Sequence, residues 1–521
     1  MELLKKVTYS SMAILLALGL SACGNNENTA EEPSNETEQT EQETPAETEE
    51  TQETETEEET SDSGEVETIT YLNIGTPPGG KDEVVAAIND YLDEQEAGYH
   101  LDLVFYDWGD YEQKLQLASS TGEDWDMAFT ANWAGPYKTL VDQNALMDLT
   151  DLVEGKEFME KINPDMIKGV QMNGKIYGIP AAYPGAVAAN QFVWTKKFVD
   201  KYNIDYSNVK TVQDLEPILK QVKEEEGMEY PFGIARDFLA AFAEPVYMIT
   251  DGIAVKEDGD KLTAYNFYAD DVYKNQIMTM KKYMDEGLVT PSAPQTEAGG
   301  TLAEDEVLVT EAEGEPGSEA VWTTETRGEV VSNIIGENII ISNDKATGKM
   351  ISLNSQTEKA DYCLDFINRM FTDQKLQDML SYGIEGKHYE LVDGKVKKFA
   401  VEEVDAGSDY DVPSFTFLSA FNRTPLAGAP GIGDEEFDQE TKEFEEKLTA
   451  SPVLGFTLDN SSFEAELGNV QQTIAEYGVN LKTGAFDEKY YEEFLEKLKT
   501  AGIDKIIEEV QSQLDNWNPE A

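Results

Sequence analysis

Apolar and polar positions along the chain alternate between two periods. T-I-T-Y-L-N-I-G at 68–75 is an almost unbroken apolar run that predicts a buried strand, and the Pro/Gly-rich 76–80 predicts a loop. Val84, Val85, Ile88 and Leu92 then recur at helical spacing, and 100–107 alternates with Leu101, Leu103 and Phe105 on one face. A helix over 109–119 and a short apolar strand over 126–131 (D-M-A-F-T-A) follow. Strands and helices alternating at this spacing predict a mostly parallel sheet covered on both faces. In such sheets ligands meet the loops at the carboxyl ends of the strands. K-I-Y-G-I-P at 175–180 and N-Q-F-V-W-T at 190–195 read as two more strands, with a turn at 183–185 between them. Helices are predicted at 196–202, 212–225, 270–286, 358–371 and 373–382; from 436 the pattern turns helical and ends in one amphipathic tail over 487–517. The stretch 291–320, rich in Gly, Glu and Thr, shows no readable period. About 450 residues follow residue 67, enough for two lobes and too many for one ordinary domain.

The first 67 residues obey neither period. Lys5 and Lys6 precede an apolar run at 12–20 that is too short for a mature membrane span and reads as a secretory signal. The run ends in L-S-A-C at 20–23, the pattern of a lipoprotein cleavage site, which makes Cys23 the expected lipid anchor and 1–22 the signal peptide. Two or three acyl chains on one Cys hold a protein stably to a membrane. Residues 23–67 then read as an acidic, disordered stalk: no basic residue occurs between Lys6 and Lys81, and 27–65 holds 17 acidic residues and almost no apolar ones. The net charge of the whole chain is -65, so the folded part is strongly acidic too. Phosphate repulsion then argues against nucleic-acid binding.

Chemistry-bearing residues are sparse. Cys363, beside Tyr362, Phe366 and Met370 in an apolar period, reads as core, which leaves no disulfide framework. With only His100 and His388, a His-based metal site or a Ser-His-Asp triad has little to build on, and no metal or other cofactor is expected. D-G-D at 258–260 has an acidic spacing that suits calcium, but without further spaced acids a hairpin turn is the simpler reading.

Several segments resemble the extracellular solute-binding proteins of family 1, which serve ABC importers. They are D-W-G-D-Y at 107–111, D-M-A-F-T-A-N-W at 126–133, N-G-K-I-Y-G-I-P at 173–180 and Y-G-I-E-G-K-H-Y at 382–389. S-P-V-L-G-F at 451–456 and A-G-I-D-K-I-I at 501–507 are similar to the lipoprotein branch that carries an added C-terminal helical module. The resemblance implies a type II two-lobe α/β periplasmic-binding fold with a hinge. One lobe would take 68–189 with 346–385, the other 190–345 with 386–521, and the chain would cross near Asn190, Ser342 and His388. It also implies a monomer, anchored on the extracytoplasmic face of the cell membrane, that closes on a carbohydrate and hands it to ABC permease subunits. Two places depart from that branch: 310–317 is acidic where relatives often carry a Lys-Pro-Gly turn, and F-L-S-A-F at 417–421 lacks a Gly-Asn-Gln. Arg423 follows the second departure and is a candidate for a new contact, with a surface ion pair as its plainer explanation.

A saccharide cleft needs planar polar groups for hydroxyls and aromatic rings for C–H faces. Trp133, at the end of a predicted strand with Thr130 and Asn132 beside it, is the leading candidate; a core tryptophan under a loop is the competing reading. Asp107 and Trp108 end another strand, and Asp107 could equally cap the next helix. Tyr183, on the loop towards the first crossing, and Gln191, near the hinge, complete the set. A secreted glycosidase would instead need two carboxylates at a fixed separation across the cleft. A surface adhesin would hold a polymer in an aromatic groove without transport.

Overall fold

In chain order the strands are β1 (Glu67–Ile74), β2 (Tyr99–Tyr106), β3 (Met127–Thr130), β4 (Ile179–Pro180), β5 (Ala189–Thr195) and β6 (Phe232–Gly233). Then come β7 (Tyr247–Thr250), β8 (Ile253–Asp258), β9 (Lys261–Asn266), β10 (Val309–Gly314) and β11 (Val330–Ile334). The last are β12 (Ile339–Ile341), β13 (Met350–Leu353), β14 (Tyr389–Val392), β15 (Lys395–Lys398) and β16 (Leu448–Ala450). This computed structural model describes residues 66–518 except 183–186, 239–240, 260, 298–306, 327, 401–403, 406, 419–421 and 432. The signal segment, Cys23, the acidic stalk and Tyr183 lie outside the described residues.

The first sheet has the order β2-β1-β3-β13-β4. β1 runs parallel to β2, with Glu67 opposite Tyr99 and Ile74 opposite Tyr106, and parallel to β3; β13 is antiparallel to both β3 and β4. Helices cover it because their apolar residues share one face: Lys81–Glu94 buries Val84, Ile88 and Leu92, and Ala360–Thr372 buries Cys363, Phe366, Ile367 and Met370. Removing each large aliphatic side chain from water stabilises the lobe by about 1.5–3 kcal/mol. Cys363 is a free, fully buried thiol, and burial raises its pKa. This core also takes in Tyr410, Phe417 and Leu418 from the stretch that the sequence reading places in the second lobe.

The second sheet, β11-β5-β10-β6, is mostly antiparallel, with only β10 and β6 parallel. β10 falls inside the stretch that shows no period in the sequence. A third sheet, β7-β8-β9, packs with the helices Asp271–Asp285, Glu464–Thr483, Glu488–Ala501 and Ile503–Asn516 around Ile253, Phe267, Phe494 and Val510. The D-G-D motif closes the β8–β9 hairpin, with Gly259 at φ +63°.

Three local readings change. The expected strand at 175–180 shrinks to β4, because the main chain of Ile176 bonds to Leu149 and Thr150 rather than to the sheet. The helical reading from 436 is interrupted by β16 and by a helix-free stretch before Glu464. The amphipathic tail is two helices, broken at Gly502, whose φ of +105° suits glycine and where a Cβ would lie 2.7 Å from the Glu466 side chain. Among the described residues no helix is long and apolar enough to cross a membrane.

Candidate functional site

The carboxyl ends of β1, β2, β3 and β4 and the start of β13 form one rim of the first lobe. At the end of β2 the main-chain oxygen of Asp107 accepts from Asp110 and Tyr111, which turns the chain into the helix Tyr111–Thr121. Asp107 Oδ1 accepts from the Trp108 amide at 2.8 Å, so it braces the turn and does not bond to a helix amide. Trp108 is left 49 % exposed. At the end of β3, Trp133 is 51 % exposed and its Nε1 donates to the Gly348 carbonyl at 2.7 Å. That bond fixes the ring without covering its face.

Both indoles rest on Phe415, at centroid distances of 6.3 Å for Trp108 and 6.2 Å for Trp133, and Phe415 packs on the fully buried Phe129 at 5.8 Å. Beneath Phe415 the chain is pinned by buried polar bonds. Asn73 Nδ2 donates to Thr416 Oγ1 at 2.9 Å, and the Tyr71 hydroxyl donates to the Thr416 carbonyl at 2.7 Å. Tyr111 donates to the Phe129 carbonyl at 2.5 Å. Burial raises the pKa of both Tyr71 and Tyr111, so these phenols stay neutral donors. Rings held this way form a pre-organised shelf.

The other predicted residues divide. Asn132 is exposed on the same rim; its amide nitrogen donates to the Thr347 carbonyl and its Nδ2 to the Asp344 carbonyl at 3.2 Å. Thr130 is fully buried, its hydroxyl 2.7 Å from that of Ser352 on β13, so it sits in the floor of the sheet. Gln191 belongs to the second lobe and is nearly buried, with Oε1 accepting from Ser332 at 2.7 Å. Phe415 was missed: F-T-F at 415–417 carries no period, and only the fold brings it under two tryptophans from other loops.

The facing rim of the second lobe is built from the start of β5 and the ends of β10 and β11. It is acidic: Glu311, Glu313 and Glu315 follow one another at alternate positions. Glu313 pairs with Lys345. Glu311 Oε1 accepts from the Ala241 amide at 2.7 Å, while Oε2 is enclosed with no partner among the described residues. Burial pushes this carboxyl up to about 8, only partly offset by the Ala241 bond and by Lys482. Trp322 lies against Gly314, where a Cβ would meet its ring at 2.3 Å. Arg423 donates to Ser414 Oγ at 2.6 Å and, among the described residues, forms no ion pair; it faces Glu315 and Ser318 across a cavity of about 170 Å³. His388 is buried between the Ile384 amide and the Ser408 carbonyl, a structural role. Among the described residues no group of three or more His, Cys, Asp or Glu could hold a metal ion.

Two lobes, each with a strand-end rim, joined by crossing segments, match a family profile: that of the bacterial extracellular solute-binding proteins, over residues 86–384. The chain belongs to this family. A second profile, a domain of unknown function (DUF3502), matches 452–519, the C-terminal helical module. A carbohydrate ABC transporter substrate-binding protein of Streptococcus pneumoniae is 28 % identical to this solute-binding protein over 98 % of both chains. The crystal structure of the N-glycan transport solute-binding protein NgtS of S. pneumoniae has a TM-score of 0.71 at 26 % identity, covering 86 % of this chain and 98 % of its own. NgtS in complex with Man5GlcNAc has a TM-score of 0.61 at 25 % identity. A human-milk-oligosaccharide-binding solute-binding protein of Bifidobacterium longum infantis, 14 % identical with a TM-score of 0.57, shares the fold. The type II two-lobe α/β fold with a C-terminal helical extension is therefore that of this chain.

Proposed function

We propose that this solute-binding protein captures a carbohydrate, an oligosaccharide rather than a single sugar, and delivers it to the permease subunits of an ABC importer. The observation that carries the reading is the shelf. Two half-exposed indoles, Trp108 and Trp133, flank Phe415 at the strand-end rim of the first lobe. Rings fixed in advance offer flat apolar faces to sugar C–H groups at little ordering cost. Asp107 and Asn132 stand beside the shelf, and Tyr183 and Gln191 are kept as further candidates from the sequence. Thr130 contributes through the floor. The names of the relatives, which bind carbohydrates and N-glycans, support the same class.

The protein works by binding and closure rather than by chemistry on its ligand. Ligand binding would shift an open–closed equilibrium of the two lobes, the first of which also takes in the stretch around Phe415. The closed monomer then docks on the permease. Cys23, diacylated at the lipobox, would tether it to the extracytoplasmic face through the acidic stalk, and Cys23→Ser should release the protein from the membrane fraction.

A thermal-shift panel of mono- and oligosaccharides on the soluble chain tests the reading. A ligand at a hundredfold excess over Kd adds about 2.7 kcal/mol. For a chain this long that is a shift of about 2 °C. Oligosaccharides should shift it more than monosaccharides and be recovered intact by chromatography. Hydrolysis products would point to a glycosidase, and a response only to peptides or amino acids would overturn the carbohydrate assignment.

A further inference from the structure

The C-terminal module is fastened to the hinge by specific bonds. Asn343, in the short helix between β12 and β13, accepts from the Gly455 amide at 2.8 Å and donates to the Phe456 carbonyl at 3.0 Å. The Thr457 hydroxyl accepts from the Asn173 amide at 3.1 Å, and β16 pairs in parallel with β12. These contacts hold the start of the module over the first lobe and leave a space beneath it. That cavity is about 340 Å³. Its first-lobe and hinge side carries Asn132, Asp344 and Thr347; its module side carries Phe456, Leu458 and Asn460.

The lining has the two faces a sugar ring needs. Phe456 and Leu458 are apolar, while Asp344 supplies acceptors and the two asparagines supply both donors and acceptors. Lys138 also borders the space, but its ammonium is held by Asp142 at 2.7 Å, so no free cation waits there for an acidic ligand. Asp344 is exposed at the edge of the space, where its carboxylate can accept from hydroxyl donors. The chain links the cavity to the shelf: Asn132 lines the cavity, and the next residue, Trp133, belongs to the shelf and is bonded to Gly348 beside Thr347.

We propose that the C-terminal module closes a second saccharide subsite, in which Asp344, Asn132 and Asn460 bind a neutral sugar unit of a glycan whose other end lies on the tryptophan shelf. The proposal rests on the carbohydrate reading above and gives the module of unknown function a part in selecting long or branched ligands.

Calorimetric titration of the full chain with Man1GlcNAc and Man5GlcNAc tests it, using Asp344→Asn to remove the acceptor charge and Leu458→Trp to fill the cavity. Each variant should lower the preference for Man5GlcNAc over Man1GlcNAc about tenfold, with melting temperatures recorded to confirm folding. An unchanged ratio in both folded variants overturns the subsite, as does the absence of any preference in the wild type. Binding of neither glycan also counts against it. The saccharide panel then tells whether the carbohydrate reading itself survives, since a response to any sugar keeps that reading and loses only this subsite.

Discussion

The strand-end rims of the two lobes are built in the same way and carry opposite surfaces. The first lobe exposes two tryptophans on a bed of phenylalanine and buries its polar anchors beneath them. The second lobe's rim keeps Trp194 and Trp322 buried, at 0 % and 8 % exposure, beside a row of glutamates. An indole in a strand interior, such as Trp194 with its Nε1 on Asn333, has its ring face spent on packing. An indole two or three residues past a strand end, like Trp108 and Trp133, keeps a face free. The first rim therefore carries exposed ring faces, and the second carries carboxylates that are largely enclosed or paired.

The contrast can be broken most strongly at Trp194. Trp194→Ala should cost about 3–5 kcal/mol of stability, as large-to-small changes in closed cores do, read by denaturant melts. A variant that melts like the wild type but binds sugar poorly would mean that Trp194 belongs to the site. Glu311 comes next. Its folded-state pKa is raised to about 8 from 4.5, so its contribution to stability is fully present below about pH 4.5 and is lost as pH rises through about 8. Glu311→Gln should remove this loss and be more stable than the wild type at pH 9 by about 2–4 kcal/mol. Parallel melting curves of the two proteins between pH 5 and 9 would show that the carboxylate is solvated after all. Smaller still, Trp133→Ala should weaken saccharide binding by about 1–3 kcal/mol, on the scale of aromatic stacking, with little change in melting temperature. Trp108→Ala should cost less than Trp133→Ala, because the Trp108 ring has no bond like that from Trp133 Nε1 to Gly348 to pre-orient it. Equal losses in the two titrations would dissolve that ranking.

Legibility in the sequence followed the strength of each local signal. β1, β2 and β5 and the helices Lys196–Tyr202 and Asp271–Asp285 stand within a residue or so of where their apolar patterns place them, since those apolar residues are buried. The 175–180 segment misled because it is apolar enough for a strand, while its main chain is satisfied by the loop around Leu149 and Thr150. β10 was hidden because T-E-A-E-G-E puts glutamates on a sheet, and only its partners β5 and β6 make that segment a strand.

By itself the sequence determined the family, the alternation of strand and helix, the place of Trp133 just past a strand, and the expectation of a lipid-modified Cys23 ahead of an acidic stalk. These rest on short-range patterns: period, turn chemistry and motif. Only the tertiary structure decided that Phe415, nearly three hundred residues away in the chain, would lie beneath Trp108 and Trp133. It also turned Thr130 inward and folded the module against the hinge at Asn343. Those outcomes depend on which surfaces meet when the lobes pack, and no window of sequence contains both sides of such a contact.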